Sequence, residues 1–178
     1  MVAGYRTNRG AGVLKSIEGL RDALSEVQLT NDNSERWLLR AARGLIAGYE
    51  ERLKMKLPPQ NSALSFIKRG AYITILKFIA ENREDWLQAR AVAKYGVSPA
   101  RLIVPNNPFH WGLLLMFHST VVSKDVRRLC ASQLLYAHRH DVPENFLIGF
   151  LYQIGTTGSI YAKVRTNMRE PWCNEREP

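Results

Sequence analysis

The stretch Pro108-Phe109-His110-Trp111-Gly112-Leu113-Leu114-Leu115-Met116-Phe117 decides the fold of this chain. It is apolar almost all the way round, and a helix of about three turns without a polar face has to be buried on every side. Asn107 can cap orphan amides at its start, and Pro108 at the first helical position gives up only an amide that lacked a partner. The expectation is a central helix clothed by amphipathic ones.

Working outward, Arg83 to Tyr95 reads as a helix with Glu84 and Asp85 at its positive end and Gly96 at its stop. Gln88 to Val104 resembles a helix-turn-helix with Gly96-Val97-Ser98 at the turn. Pro105 halts its second helix after about six residues, too short to lie along a major groove, so an ordinary corner between two halves is the better reading. Ala63 to Ala80 is rich in β-branched residues around Ile73-Thr74-Ile75, and a strand competes there. The recurrence of Phe66, Ile67, Gly70, Tyr72, Ile73, Leu76 and Ile79 outlasts a typical strand and favours a helix, capped by Asn61-Ser62 after the break at Pro58-Pro59. A first helix is expected from Val13 to Leu29. Downstream, helices are expected from Lys124 to His140, from Asp141-Val142-Pro143 through Ile154, and from Ile160 to Met168. Gly155-Thr156-Thr157-Gly158 reads as a joint. On the helix from Lys124, Val126, Leu129, Cys130, Gln133, Leu134 and Ala137 form the expected inner face, with Arg128, Ser132, Leu135 and Arg139 on another, flanked by Arg127 and His138. The whole is an all-α chain of seven or eight helices in two abutting helical bundles: a basic arm over 1–10, an N-terminal bundle over 11–97, a C-terminal bundle over 98–170 and a tail over 171–178.

The second helix, Ser34 to Leu57, carries the functional signal. At about 100° per residue, Leu38, Ala42, Leu45, Tyr49 and Leu53 share one sector and make a core stripe. Arg36, Arg40, Arg43, Glu50 and Lys54 fall opposite, with Ala47 and Gly48 leaving room in a row that runs roughly 27 Å at about 1.5 Å per residue. Composition agrees: the 178 residues carry 25 Lys and Arg, 17 of them Arg, against 16 Asp and Glu, a net charge of +9. Arginine is the residue suited to phosphate forks, so a polyanion is the first partner to consider. With 46% hydrophobic residues the chain also has the means to bury a core.

Enzyme chemistry finds no support in the spacing. Gly155-Thr156-Thr157-Gly158 is followed by no Lys-Ser or Lys-Thr pair, no Gly-x-Ser-x-Gly elbow occurs, and Cys130 and Cys173 lie far apart without a Cys-x-x-Cys pattern. Among the four histidines, His138 and His140 point to different sides of a helix. His110 and His118 border the apolar helix as core histidines. No enzyme, metal or cofactor is expected. No signal peptide is expected, and no window reaches about 18 uninterrupted apolar residues, so a cytoplasmic protein without membrane contact is anticipated.

The stretch Arg127-Arg128-Leu129-Cys130-Ala131-Ser132-Gln133-Leu134-Leu135 through Val142-Pro143 resembles the closterovirus RNA-silencing suppressors, small basic all-helical proteins, and the likeness of profile extends over most of the chain. The resemblance implies binding of small or structured RNA without enzymatic activity, and assembly into a ring with a basic inner surface. The charge pattern alone nominates Arg6, Arg9, Arg36, Arg40, Arg43, Lys54, Arg127, Arg128 and Arg139 as the RNA-binding residues, with Trp37 and Trp86 as subunit contacts. The expected function is recognition of double-stranded or structured RNA without regard to sequence by a homo-oligomer, in host cytoplasm if the protein is viral. The alternative is a structural or adaptor subunit of a larger protein assembly.

Overall fold

The computed structural model describes residues 15–154 and 157–171, and within them the chain is all-α. Its eight α-helices are α1 Ile17–Ser25, α2 Ser34–Leu53, α3 Ala63–Ala80, α4 Glu84–Tyr95, α5 Pro108–Met116, α6 Lys124–Arg139, α7 Leu147–Gln153 and α8 Thr157–Thr166. The arm over 1–10, the start of the expected first helix and the tail from 172 lie outside the described residues, as do Gly155 and Thr156 of the expected joint. Thr157 and Gly158 belong to α8 rather than to that joint.

Helix α5 is buried as its composition demands, with Phe109, Trp111 and Leu113 no more than 1% exposed. The Asn107 side chain caps it, accepting from the Phe109 and His110 amides at 3.0 and 3.3 Å, and donates to the Ala131 carbonyl at 3.1 Å. One residue thus starts α5 and ties it to α6.

The structure shares the central place with α3, which packs against α1, α2, α5, α6 and α7. Its β-branched centre is compatible with a helix because burial on several sides outweighs a propensity penalty of a few tenths of a kcal/mol per residue. The Thr74 hydroxyl also returns its hydrogen bond to the Gly70 carbonyl at 2.8 Å. Gly70 makes room for a neighbour: a Cβ there would sit 2.1 Å from Leu45 Cδ2, so the Leu45 side chain of α2 fills the space over Gly70 and would have to shift for any larger residue. Helix α5 packs in turn on α2, α3, α4 and α6. Buried residues from α1 to α8 make one continuous apolar cluster that spans both halves. Tyr72 of α3 adds a polar tie, donating to the Val142 carbonyl at 2.9 Å.

The corner after α4 departs from any DNA-reading geometry. Gly96, at φ 63°, closes α4 with its amide on the Val92 carbonyl at 2.8 Å, and Pro99–Arg101 forms a single 3-10 turn where a recognition helix would stand.

The inner face of α6 is wider than expected. Ser132, Leu135 and Tyr136 are buried together with Cys130, Leu134 and Ala137, because α8 packs over the side that periodicity had left to solvent. Burial pushes the Cys130 thiol up to about 11, so it stays protonated at neutral pH.

Candidate nucleic-acid interface

Helix α2 places Arg36, Arg40 and Arg43 in solvent; it stops at Leu53, short of the expected Leu57, so Lys54 is the exposed residue that caps its end rather than a member of the helical row. The inner stripe is not the one periodicity selects. Leu38, Ala42 and Leu45 are buried as expected, but Tyr49 is half-buried and Leu53 is 62% exposed, while Ala41, Gly44 and Gly48 turn inward. The cause is close packing against α3: a Cβ on Gly48 would lie 2.7 Å from the Phe66 ring and 3.0 Å from the Lys15 carbonyl oxygen. Gly48 therefore contributes nothing to the outer row, contrary to the expectation from spacing.

Neighbouring carboxylates do not neutralise the row. Glu35 pairs with Arg90 of α4, and Glu51 pairs with Lys15 at 2.7 Å. Both pairs are solvent-exposed, so screening by water leaves them little weight in stability. Their relevance is that they draw the nearest acids away, and among the described residues no ion pair involves Arg36, Arg40, Arg43 or Lys54. Arg40 lies 4.8 Å from the centre of the Trp37 ring, which leaves its in-plane N–H groups free. The lysine pair at Glu51, with Arg52 and Lys54 nearby, holds that carboxyl below its usual range against the opposing effect of its own desolvation.

The other nominated residues divide. Arg128 is exposed at the start of α6. Arg127 is half-buried and donates to the Phe117 carbonyl at the end of α5. Arg139 is half-buried and donates to the Val164 carbonyl at 2.8 Å. Both guanidiniums close gaps between helices, so they are not displayed on an outer face as the charge pattern proposed. Arg6 and Arg9 lie outside the described residues. Trp37 and Trp86, nominated as subunit contacts, pack on the core instead, with Trp86 stacked on Phe78 at 5.7 Å. The apolar side chains that do reach solvent are others, Phe146 at 64% and Tyr152 at 62% exposure.

The histidines also divide. His110 is partly buried, and burial with the Arg128 and Arg127 charges pushes it down to about 4, so it is neutral at pH 7. His118 is exposed beside Thr120 rather than in the core, with Nδ1 3.0 Å from the Thr120 hydroxyl. His140 is buried: its Nδ1 lies 2.7 Å from the Tyr136 carbonyl and its Nε2 accepts from the Glu170 amide at 2.8 Å. Because a carbonyl only accepts and an amide N–H only donates, His140 is the neutral tautomer protonated on Nδ1.

Sequence reasoning gave no weight to a cleft of about 590 Å³ between α1, α2 and α3, lined by Lys15, Arg21, Arg52 and Arg69 among others. Arg52 stands only four residues after Gly48, on the inner edge of α2. That position was the available signal, and the core stripe assigned there concealed it. Among the described residues no helix is long and apolar enough to cross a membrane, and no group of three or more His, Cys, Asp or Glu could hold a metal ion. Comparison with protein-family models, with curated proteins and with solved structures finds no match.

Proposed function

We propose that this chain is a non-enzymatic RNA-binding protein that grips the phosphate backbone of structured or double-stranded RNA through Arg36, Arg40 and Arg43 of α2 and Lys54 at its end, with Arg128 as a further contact. One observation carries the reading: Arg36, Arg40 and Arg43 stand exposed on one side of one helix while Glu35 and Glu51 pair elsewhere, which leaves Glu50 as the one acid in the row without an ion pair among the described residues. Like charges at helical spacing repel one another, and a phosphate backbone relieves that repulsion while releasing counterions. Cations on a helix surface read charge and shape rather than base edges, which suits A-form RNA. The resemblance to closterovirus suppressors favours RNA among polyanions, and a role in suppressing RNA silencing.

The test is fluorescence anisotropy with a labelled RNA duplex over a range of salt. Five phosphate contacts predict a slope of log affinity against log salt of about −3.5 to −4.5, and replacing Arg36, Arg40 and Arg43 with Ala should flatten it by roughly 2 to 3 with helicity unchanged. An unaltered slope removes α2 from the interface.

A second reading, an adaptor subunit that docks on another protein, draws on a different observation. Phe146 and Tyr152 are exposed at either end of α7, with open space around Gly149 between them. Exposed aromatics of this kind favour a protein contact, which self-association would also supply. Light scattering at low and high salt, read with the 260 to 280 nm absorbance ratio, separates the two. An oligomer that carries nucleic acid at low salt and sheds it at high salt supports the RNA binder, and a clean monomer with no duplex affinity supports the adaptor.

A further inference from the structure

The cleft between α1, α2 and α3 has a chemistry distinct from the outer row. Two of its cations are neutralised within it, Lys15 by Glu51 and Arg21 by Glu144. Arg52 and Arg69 have no carboxylate partner among the described residues. The Arg52 guanidinium sits over the Phe66 ring, 3.8 Å from its centre, and gives one N–H to the Gly48 carbonyl at 3.1 Å. Phe66 and the Gly48 carbonyl together hold the guanidinium in place, and its other N–H groups meet no acceptor among the described residues. Arg69 follows Phe66 by three residues on α3, so it is the neighbour of Phe66 on the same side of that helix. Its Nε is buried and meets no acceptor among the described residues. Because Arg69 lines the cleft and no carboxylate among the described residues answers its charge, an anion supplied from outside is favoured there.

We propose that this cleft is a binding site for a phosphomonoester, with the phosphate held between the Arg52 and Arg69 guanidiniums and the esterified group lying along Met55 and Leu57. A phosphomonoester brings a charge of about −1.5 to −2 and three acceptor oxygens, enough to satisfy two guanidiniums at once, whereas a carboxylate brings one charge and two oxygens. The excess of negative charge also matters because Glu18, on the same cleft, has no cationic partner among the described residues and opposes any anion. A volume of about 590 Å³ leaves room beyond a bare phosphate for a group of nucleoside size. Met55 and Leu57, 57% and 36% exposed, give that group an apolar edge.

The experiment is isothermal titration calorimetry of the full chain in phosphate-free buffer with orthophosphate, adenosine 5′-monophosphate, adenosine and acetate. Orthophosphate and the monophosphate should bind, the monophosphate more tightly, and adenosine and acetate should not. Arg69→Gln should weaken the monophosphate by about tenfold or more, the size of a lost charge-assisted hydrogen bond. Met55→Glu alters an exposed edge residue, so it should leave the melting temperature in place while weakening the monophosphate severalfold, and it keeps the test decisive if Arg69→Gln does not fold. Replacing Arg36, Arg40 and Arg43 with Ala should leave monophosphate affinity untouched, which separates this site from the RNA row. Absence of heat from both phosphate compounds at millimolar concentration overturns the proposal. So does acetate binding as well as phosphate, an unchanged affinity in Met55→Glu, or equal loss in the α2 triple variant. Sedimentation with phosphatidic-acid vesicles then assigns the ester: co-sedimentation that depends on Arg69 points to a lipid headgroup, and its absence to a soluble ester.

Discussion

Arg36, Arg40 and Arg43 on α2 and Arg127, Arg139, Lys163 and Arg169 around α6 and α8 are the same chemistry in two settings. Arg36, Arg40 and Arg43 face water and engage no carbonyl or carboxylate among the described residues. Around α6, Arg139 holds the Val164 carbonyl, Arg169 holds the Arg139 carbonyl at 3.0 Å, and Lys163 bridges the Ile154 carbonyl at 3.0 Å and the Glu170 carboxylate. Tyr136 completes the second cluster by donating to Glu170 at 2.8 Å. Burial alone would raise the Glu170 carboxyl, but the hydrogen bonds from Lys163 and Tyr136 and the Lys163 charge outweigh it and hold the group below its usual range. A basic residue whose N–H groups and charge are taken up by protein oxygens has correspondingly less to offer a ligand, and Arg36, Arg40 and Arg43 keep theirs.

Glu170→Ala tests the contrast most severely. It leaves the Lys163 ammonium, only 18% exposed, without its carboxylate. Removal of one partner from a buried pair costs about 3 to 5 kcal/mol, and the Ile154 carbonyl should keep the loss near 3, read as a fall in urea midpoint. Titrating stability against pH probes His110 next. Its folded pKa, about 4, lies below the ordinary 6.5, so the unfolded chain binds the proton first. Stability present above pH 6.5 should drain away as pH falls towards 4, by up to about 3 kcal/mol and less for the part of the ring that solvent reaches. His110→Gln should flatten that window. Arg139→Met, which strands the Val164 carbonyl, should cost about 2 kcal/mol in the same urea measurement. Smallest of all, Ala at Arg36, Arg40 and Arg43 should move stability by no more than about 0.5 kcal/mol per site, since each side chain is exposed and none is ion-paired. A large loss from that triple variant would erase the distinction between the two settings.

How far each setting was legible follows from the range of the forces involved. The row on α2 is a matter of local spacing, and Arg36, Arg40 and Arg43 stand exposed as the 3.6-residue period requires. Arg139 was placed with them by the same period and went the other way, because the oxygen that claims it belongs to Val164, far along the chain. Gly48 was read as a gap in the outer row, yet it faces Phe66 because α3 approaches too closely for a side chain there.

The sequence by itself determined that this protein is all-α, that Pro108 to Met116 is a helix buried on all sides, and that helices begin at Ser34, Ala63 and Lys124. Those features depend on periodicity, capping residues and prolines, which act within a few residues of one another. Only the tertiary structure decided that α3 packs against α1, α2, α5, α6 and α7, that Arg127 and Arg139 bind internal carbonyls, and that Arg52 and Arg69 share one cleft. Each of these depends on which atoms distant segments bring within hydrogen-bonding or van der Waals range, and no local pattern encodes that.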